Sequence, residues 1–339
     1  MRAAGDRVLL AHGGGGTLTK SLIEEMIVSR FGNPVLAPLA DSAILDLPPG
    51  RVAFTTDSYV VKPIRFRGGD IGRLAVCGTV NDLAMAGATP LHLSLALILE
   101  EGLEFDDLAA ILDSAKAAAE EAGVTVVCGD TKVVERGAAD QCFINTAGVG
   151  VIPAGVRIAM DRARPGDAVL VNGTIGDHGI AILSEREGMA FASPVTSDVA
   201  PLAGLVAAVL DAGGKAVCAL RDATRGGIGM VICEVAEASG HDVELDEARI
   251  PVRPEVRGAC ELLGLDPLYV ANEGKLVVFC EQGAASRVLA AMRAHPFGRS
   301  AAVIGRVLEG NRGRVTLRTA IGGRRVVDPP YGEQLPRIC

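Results

Sequence analysis

The chain has no tryptophan, and only 3 tyrosines and 8 phenylalanines among 339 residues. With aromatics at 3%, a formal net charge of -8 and no basic block, it offers neither a stacking platform nor a cationic face, which excludes nucleic acid as its main partner. Long apolar runs are missing too. Hydrophobic residues make up 49% and mean hydropathy is +0.33, yet no stretch approaches the roughly eighteen residues of a membrane span. A soluble chain with no membrane partner is expected. The start, Met1-Arg2-Ala3-Ala4-Gly5-Asp6-Arg7, leads only into Val8-Leu9-Leu10-Ala11, too short for a signal-peptide core, so a cytoplasmic address is expected. No CxxC pair occurs among the 8 cysteines. Cys77, Cys128, Cys142, Cys218, Cys233, Cys260 and Cys280 mostly sit in apolar runs and read as small buried hydrophobes, not as disulfide or zinc positions.

Cys339 differs. It closes the run Pro336-Arg337-Ile338-Cys339, approached through Asp328-Pro329-Pro330-Tyr331-Gly332, a composition expected of a semi-rigid, mobile arm. Such an arm can carry a thiol into an active site or out to a partner, and the alternative is a cysteine there by accident. A terminal carboxylate disfavours the reactive thiolate and Arg337 favours it.

Length suits two domains. Period and turn signals predict strands at Val52–Thr56, Leu91–Leu99, Val124–Cys128 and Phe143–Ile152, with helices at Ile71–Ala86 and Asp106–Ala122. The turn-rich Asp161–Asp167 marks a boundary. Beyond it come strands at Ala168–Asn172, Leu276–Cys280, Ala301–Val307 and Arg314–Thr319, and helices at Leu202–Ala212, from Gly226 to about Ala238, Glu255–Leu263 and Ala284–Ala294. The class is mixed α and β in layers.

Acidic residues recur where elements change: Asp57 after Phe54-Thr55-Thr56, Asp82 in Gly78-Thr79-Val80-Asn81-Asp82-Leu83, and Asp130 in Cys128-Gly129-Asp130-Thr131-Lys132. A single such aspartate is usually a cap or turn former. Three together suit a magnesium ion, which takes one or two carboxylates plus substrate phosphates. His12-Gly13-Gly14-Gly15-Gly16-Thr17, expected after a short strand, can wrap an anion but lacks the lysine of a P-loop. Asp222 and Thr224 add oxygen ligands before Gly226-Gly227-Ile228-Gly229. Lys132 and Glu273, if they share a cleft, supply a cation for phosphate charge and a carboxylate for proton removal. His178 is either a base or a loop histidine held by a cap.

Four stretches together, Thr55-Thr56-Asp57-Ser58-Tyr59, Val80–Ala88, Gly129-Asp130-Thr131-Lys132-Val133 and Arg221-Asp222-Ala223-Thr224-Arg225-Gly226-Gly227, resemble the ATP-using PurM superfamily. Within it, Asn272-Glu273-Gly274-Lys275 and Pro336-Arg337-Ile338-Cys339 resemble the HypE family of hydrogenase maturation factors. The resemblance spans nearly the whole chain. It implies an α+β two-domain fold: residues 1–158 as an ATP-binding domain dimerising through a β-barrel, 159–327 as a second PurM-like domain, and 328–339 as a mobile tail.

It also implies an activity: ATP-dependent dehydration of an S-carboxamide on Cys339 to a thiocyanate, the source of cyanide ligands for [NiFe]-hydrogenase iron. The HypF carbamoyltransferase would load Cys339, and the HypC-HypD complex would take the cyanide. Cys339, Lys132 and Glu273 would be catalytic, with the base either Lys132 or Glu273. Asp57, Asn81, Asp82, Asp130, Thr131, Asp222 and Thr224 would hold ATP, and Asp57, Asp82, Asp130 and Asp222 its Mg²⁺. Whether the tail rests inside or outside the site is open at this level. Selenide water dikinase and aminoimidazole ribonucleotide synthetase share the superfamily; the first would use a reactive cysteine near the N-terminal glycines, where this chain has His12. A non-enzymatic scaffold presenting the tail is the other alternative.

Overall fold

The computed structural model describes residues 7–40, 42–186, 195–332, 335 and 337–339. Met1–Asp6 and Pro336, used in the sequence reading, lie outside the described residues. The first unit opens with α1 (Thr17–Leu22) and α2 (Ser29–Phe31), joined by a π-helical turn, Ile23–Val28. It continues with β1 (Arg51–Tyr59), a ribbon of β2 (Arg65–Phe66) and β3 (Gly69–Asp70), α3 (Ile71–Met85), β4 (Thr89–Glu100), α4 (Phe105–Ala122), β5 (Thr125–Val134) and β6 (Cys142–Ile152). The second contains β7 (Ala168–Val171), α5 (Asp177–Arg186), α6 (Ala203–Gly213), β8 (Val217–Asp222), α7 (Gly227–Ser239), β9 (Asp242–Asp246), α8 (Pro254–Leu263), β10 (Leu276–Cys280), α9 (Gln282–Ala294), β11 (Ala302–Leu308), β12 (Val315–Arg318) and β13 (Arg324–Val327).

Each unit is built on one sheet, and the whole is α+β. The first sheet has four strands in the order β1-β6-β4-β5, leaving β1 and β5 as its edges. β6 alternates buried and half-buried along its length, as expected when one face meets helices and the other does not. The covered face packs on α3, whose start is fixed by Asp70: its carboxylate accepts the N–H groups of Gly72 and Arg73 at 2.8 and 2.9 Å. The other face carries Phe54, 72% exposed, beside Val149 in register, and Val52, 51% exposed, beside Val151. The second sheet has seven strands in the order β13-β12-β9-β11-β7-β10-β8. Helices cover both its faces, with α7 packed on one side and α6 and α9 on the other, so β7 and β10 are buried at every position.

Several sequence expectations shift. Among the described residues before His12 only Arg7 pairs, in an isolated bridge with Glu104, and Leu10–Gly13 is a 3₁₀ turn, so the expected short strand is not formed there. β1 runs on through Asp57 to Tyr59, and β5 runs through Asp130 and Lys132 to Val134, because β6 and β4 are long enough to pair with them throughout. Gly129 lies within β5 without breaking it. A Cβ there would stand 2.0 Å from the Leu95 carbonyl oxygen, so its bareness lets β4 approach. His178 sits in the first turn of α5, not in a loop. β9 and β13 had no sequence signal strong enough to register.

Candidate active site

Three elements converge beside the end of the chain. Asp57 from β1, Asp82 from α3, and Asp222 and Thr224 at the end of β8 line one pocket with Tyr59, Gly78, Arg225, Glu273 and Cys339. Gly78 and Asp82 are one helical turn apart and so share the face of α3 that meets β1. At Gly78 a Cβ would stand 2.2 Å from the Tyr59 hydroxyl, so only glycine lets this tyrosine lie across the helix. Thr55 donates its hydroxyl to Asp82 Oδ2 at 3.0 Å. The cavity holds about 30 Å³, space for about two waters and far too little for a nucleotide.

The pocket is electrostatically tense. Burial, then the neighbouring Asp82, pushes the Asp222 carboxyl up to about 7. Burial also raises Asp82, with Asp57 adding to it and the Thr55 hydroxyl opposing it. Glu273 is 3% exposed, and its Oε1 is buried without a hydrogen-bond partner. Its carboxyl lies well above the ordinary range, through burial first and then the charges of Asp198, Asp222, Asp57 and Asp82. Glu273 therefore holds a proton more tightly than an ordinary carboxyl, and cations that offset its neighbours would relieve this.

Asn81 does not point at a ligand. Its amide nitrogen donates to the carbonyls of Ala200 and Glu273 at 3.1 and 3.4 Å, and its oxygen accepts Leu202 N–H at 2.7 Å. It ties α3 to the segment bearing Glu273.

The tail residues lie folded against the end of β1. Val60 and Lys62 donate their N–H groups to the carbonyls of Cys339 and Arg337 at 3.2 and 3.3 Å, an antiparallel pairing. Ile338 is 4% exposed within the first core. The Arg337 charge, expected to act on the thiol, pairs with Asp140 and stacks over Phe143, with 5.9 Å between guanidinium and ring centre. A second cavity, about 400 Å³, runs past Cys339 between Met230, Tyr269 and Pro330.

Asp130, Thr131 and Lys132 stand elsewhere. Along the register, Ser58, Asn145, Ala96 and Asp130 form one row across the sheet. Asp130 and Lys132 therefore lie on the face away from Asp57 and on the opposite edge strand, three strand spacings or about 14 Å distant. Lys132 Nζ contacts both Asp130 oxygens at 2.7 Å. This pair, chiefly the Lys132 hydrogen bond, holds the Asp130 carboxyl below its ordinary range. With Thr131, Gly13 and Gly15 they border a cavity of about 360 Å³ whose apolar walls include Ile27, Val35, Leu36 and Leu95. His12, between the glycines and the sheet, is 4% exposed and packs edge-on against Phe105. Among the described residues no group of three or more His, Cys, Asp or Glu side chains is placed to hold a metal ion within this one chain.

Sequence reasoning missed Asp198, Lys275 and Asp140. Asp198 and Lys275 form a nearly buried pair at 2.7 Å, and Asp198 also accepts the N–H groups of Glu273 and Gly274 at 3.1 and 3.2 Å. Burial pushes the Asp198 carboxyl up, but Lys275 outweighs it and the net lies below the ordinary range. Nothing in Ser197-Asp198-Val199 signals this; only the placement of Lys275 after Asn272-Glu273-Gly274 hinted that a buried cation needed an anion. Among the described residues no helix is long and apolar enough to cross a membrane.

Family models place the same two units in a known group. Residues 39–152 match the AIR synthase related protein N-terminal domain, and residues 164–318 its C-terminal domain. The carbamoyl dehydratase HypE of Azotobacter vinelandii is 54% identical over 332 residues, covering 98% of this chain and 97% of that protein. A crystal structure of the hydrogenase maturation protein HypE in complex with ATP superposes with a TM-score of 0.93 at 48% identity, covering 98% of this chain and 99% of that one. A HypE-HypF complex contains a chain matching with a TM-score of 0.80 at 47% identity, covering 91% and 100%. With likeness of this depth over nearly the whole chain, it belongs to the carbamoyl dehydratase HypE family.

Proposed function

We propose that this chain dehydrates a carboxamide carried on the Cys339 sulfur, using ATP, and so makes the cyanide ligands for the iron of [NiFe]-hydrogenase. The observation that carries the reading is the pocket that Cys339 shares with Glu273 and three aspartates. An amide oxygen is a poor leaving group. Attack by that oxygen on the ATP γ-phosphorus releases ADP and forms a C–O–P link; loss of both amide N–H protons, one carried off on the phosphate and one released, and of the phosphate itself then leaves S–C≡N. The balance is S-carboxamide plus ATP to thiocyanate, ADP, phosphate and a proton. Glu273, buried beside Cys339, is placed to take the amide proton once cations have lowered its pKa. Lys132 is suited to stabilise phosphate charge.

Asp57, Asp82 and Asp222 present hard oxygen atoms, the charge of Asp57 raising the proton affinity of Asp82 and the charges of Asp82 and Asp57 that of Asp222, the donor chemistry that suits Mg²⁺ shared with substrate phosphates. When bound, the ion would neutralise these carboxylates and the phosphate charge. The roomier pocket beside Asp130, with glycine amides at one end and apolar walls, suits a nucleotide.

One chain keeps the two pockets apart, and this favours a homodimer. The exposed Val52 and Phe54 and the two edge strands of the first sheet, β1 and β5, suit closure with a second copy into a β-barrel. Setting β1 of one copy beside β5 of the other would bring Asp130 and Lys132 of one chain to Cys339 of its partner. Loading by HypF and delivery to HypC-HypD complete the reading, the former supported by the HypE-HypF complex. The test is mass spectrometry of the Cys339 peptide in pre-carbamoylated protein after adding ATP. A product lighter by one water is expected, and ATP consumption without it would overturn the assignment.

A further inference from the structure

Of the contacts holding the tail, most lie at the rim. Arg337 pairs with Asp140 where both are partly exposed, and Arg186 donates to the Arg337 carbonyl at 2.7 Å from a half-buried position. One contact is wholly interior. His178 is 0% exposed, wedged edge-on against Phe66, and its Nε2 lies 2.6 Å from the Ile338 carbonyl oxygen. Its Nδ1 lies 2.8 Å from Ser197 Oγ, which accepts Val199 N–H at 3.1 Å.

This chain of bonds fixes the tautomer. A carbonyl oxygen at that distance requires a proton on Nε2. Burial lowers the His178 pKa, so the ring is neutral and Nδ1 carries none. The Ser197 hydroxyl therefore donates to Nδ1 while accepting from Val199. Each group has one role, and the last bond in the series ends on the carbonyl just before Cys339.

We propose that His178 is a positioning residue for Cys339: its Nε2–H latches the Ile338 carbonyl and sets the balance between a seated tail, with the sulfur beside Glu273, and a released tail accessible from outside. This rests on the proposed function, in which loading needs a released thiol and dehydration a seated one. A buried hydrogen bond in apolar surroundings resists breaking far more than the exposed pairs at the rim, so the latch dominates that balance. Seating also buries the Ile338 side chain, which returns to water on release.

The latch predicts opposite effects on the two half-reactions, which mere loss of stability would not produce. In His178→Ala, alkylation of Cys339 by iodoacetamide, followed by peptide mass spectrometry, should rise at least tenfold. Conversion of pre-carbamoylated Cys339 to thiocyanate should fall at least tenfold, while carbamoylation by HypF with carbamoyl phosphate and ATP holds or rises. His178→Gln, whose amide can still donate to Ile338, should recover most of the dehydration rate. Ser197→Ala leaves the tail untouched but frees the tautomer, and should fall between; it carries the test if His178→Ala does not fold. Unchanged Cys339 alkylation in the folded variants, or equal loss of loading and dehydration, would overturn the latch. Alkylation that rises as expected in a protein whose wild type forms no thiocyanate would leave the latch standing and sink the proposed function instead.

Discussion

Asp198 accepts the backbone N–H of Glu273 at 3.1 Å, so a carboxylate held ionised by Lys275 is fixed against the segment whose own carboxyl it destabilises. The peptide bond positions Glu273 while the charge behind it raises its pKa. Asn81 secures the same segment from α3. A rigid backbone with an uncomfortable side chain is what a general base needs when its proton must be taken up late, after the substrate and its cations have arrived.

Glu273→Gln separates these effects. Because folding raises this carboxyl's pKa, the folded state binds the proton more tightly, and wild-type stability falls as pH rises from the ordinary carboxylate range toward the raised value. The amide has no such loss. The variant's Tm should match wild type near pH 4.5 and exceed it by about 2–6 °C above neutrality, with thiocyanate formation reduced at least about 100-fold. Parallel pH-stability curves would refute a Glu273 carboxyl raised by burial.

Metal binding can be read without turnover. With Asp222 at about 7, Mg²⁺ competes with protons below that value and meets carboxylates above it. Millimolar Mg²⁺ should therefore raise the wild-type Tm more at pH 8 than at pH 6, and Asp82→Asn and Asp222→Asn should each remove most of that increment while remaining folded. An equal Mg²⁺ effect at both pH values, or an undiminished one in both variants, would remove these aspartates from the ion.

Much of this was legible in the sequence because local rules and tertiary packing agreed. The strand β10 is buried throughout and reads as a continuous apolar run, and α4, ending on Gly123 in the left-handed region, carries its stop signal openly. Asp57, Asp82, Asp222 and Glu273 were chosen from motif and they line one pocket. What could not be read depends on distance along the chain. Asp198 and Lys275 are 77 residues apart. His178 looked like a loop residue because Gly176 and Gly179 flank it, whereas the latter lets the first turn of α5 pack on Val270. The separation of Asp130 from Asp57 follows from strand order and register, which no single strand's pattern encodes.

Dimerisation through the open face predicts a clean disruption. Phe54 is 72% exposed in one chain, so Phe54→Asp should leave the fold and its Tm within about 2 °C yet place a charge in an apolar interface. Sedimentation or light scattering should show dimer for the wild type and monomer for the variant at micromolar concentration. A wild-type monomer, or a variant dimer of equal affinity, would place the contact elsewhere.

If the barrel sets β1 beside the partner's β5, each active site takes Cys339 from one chain and Lys132 from the other, and this has a consequence in mixtures. Lys132→Ala and Cys339→Ala should each be inactive in thiocyanate formation as homodimers. Unfolded together and refolded in equal amounts, about half of the dimers become mixed, each with one complete site, so activity should return to about a quarter of wild type. If instead both residues act within one chain, every site in the mixed dimer lacks one of them and nothing returns. Recovery with Glu273→Gln in place of Cys339→Ala should match, since Glu273 lies with Cys339; mixing Glu273→Gln with Cys339→Ala should recover nothing. An inactive Lys132→Ala and Cys339→Ala mixture, with mixed dimers confirmed by native mass spectrometry, would rule out the shared site and return Lys132 to its surface pair with Asp130.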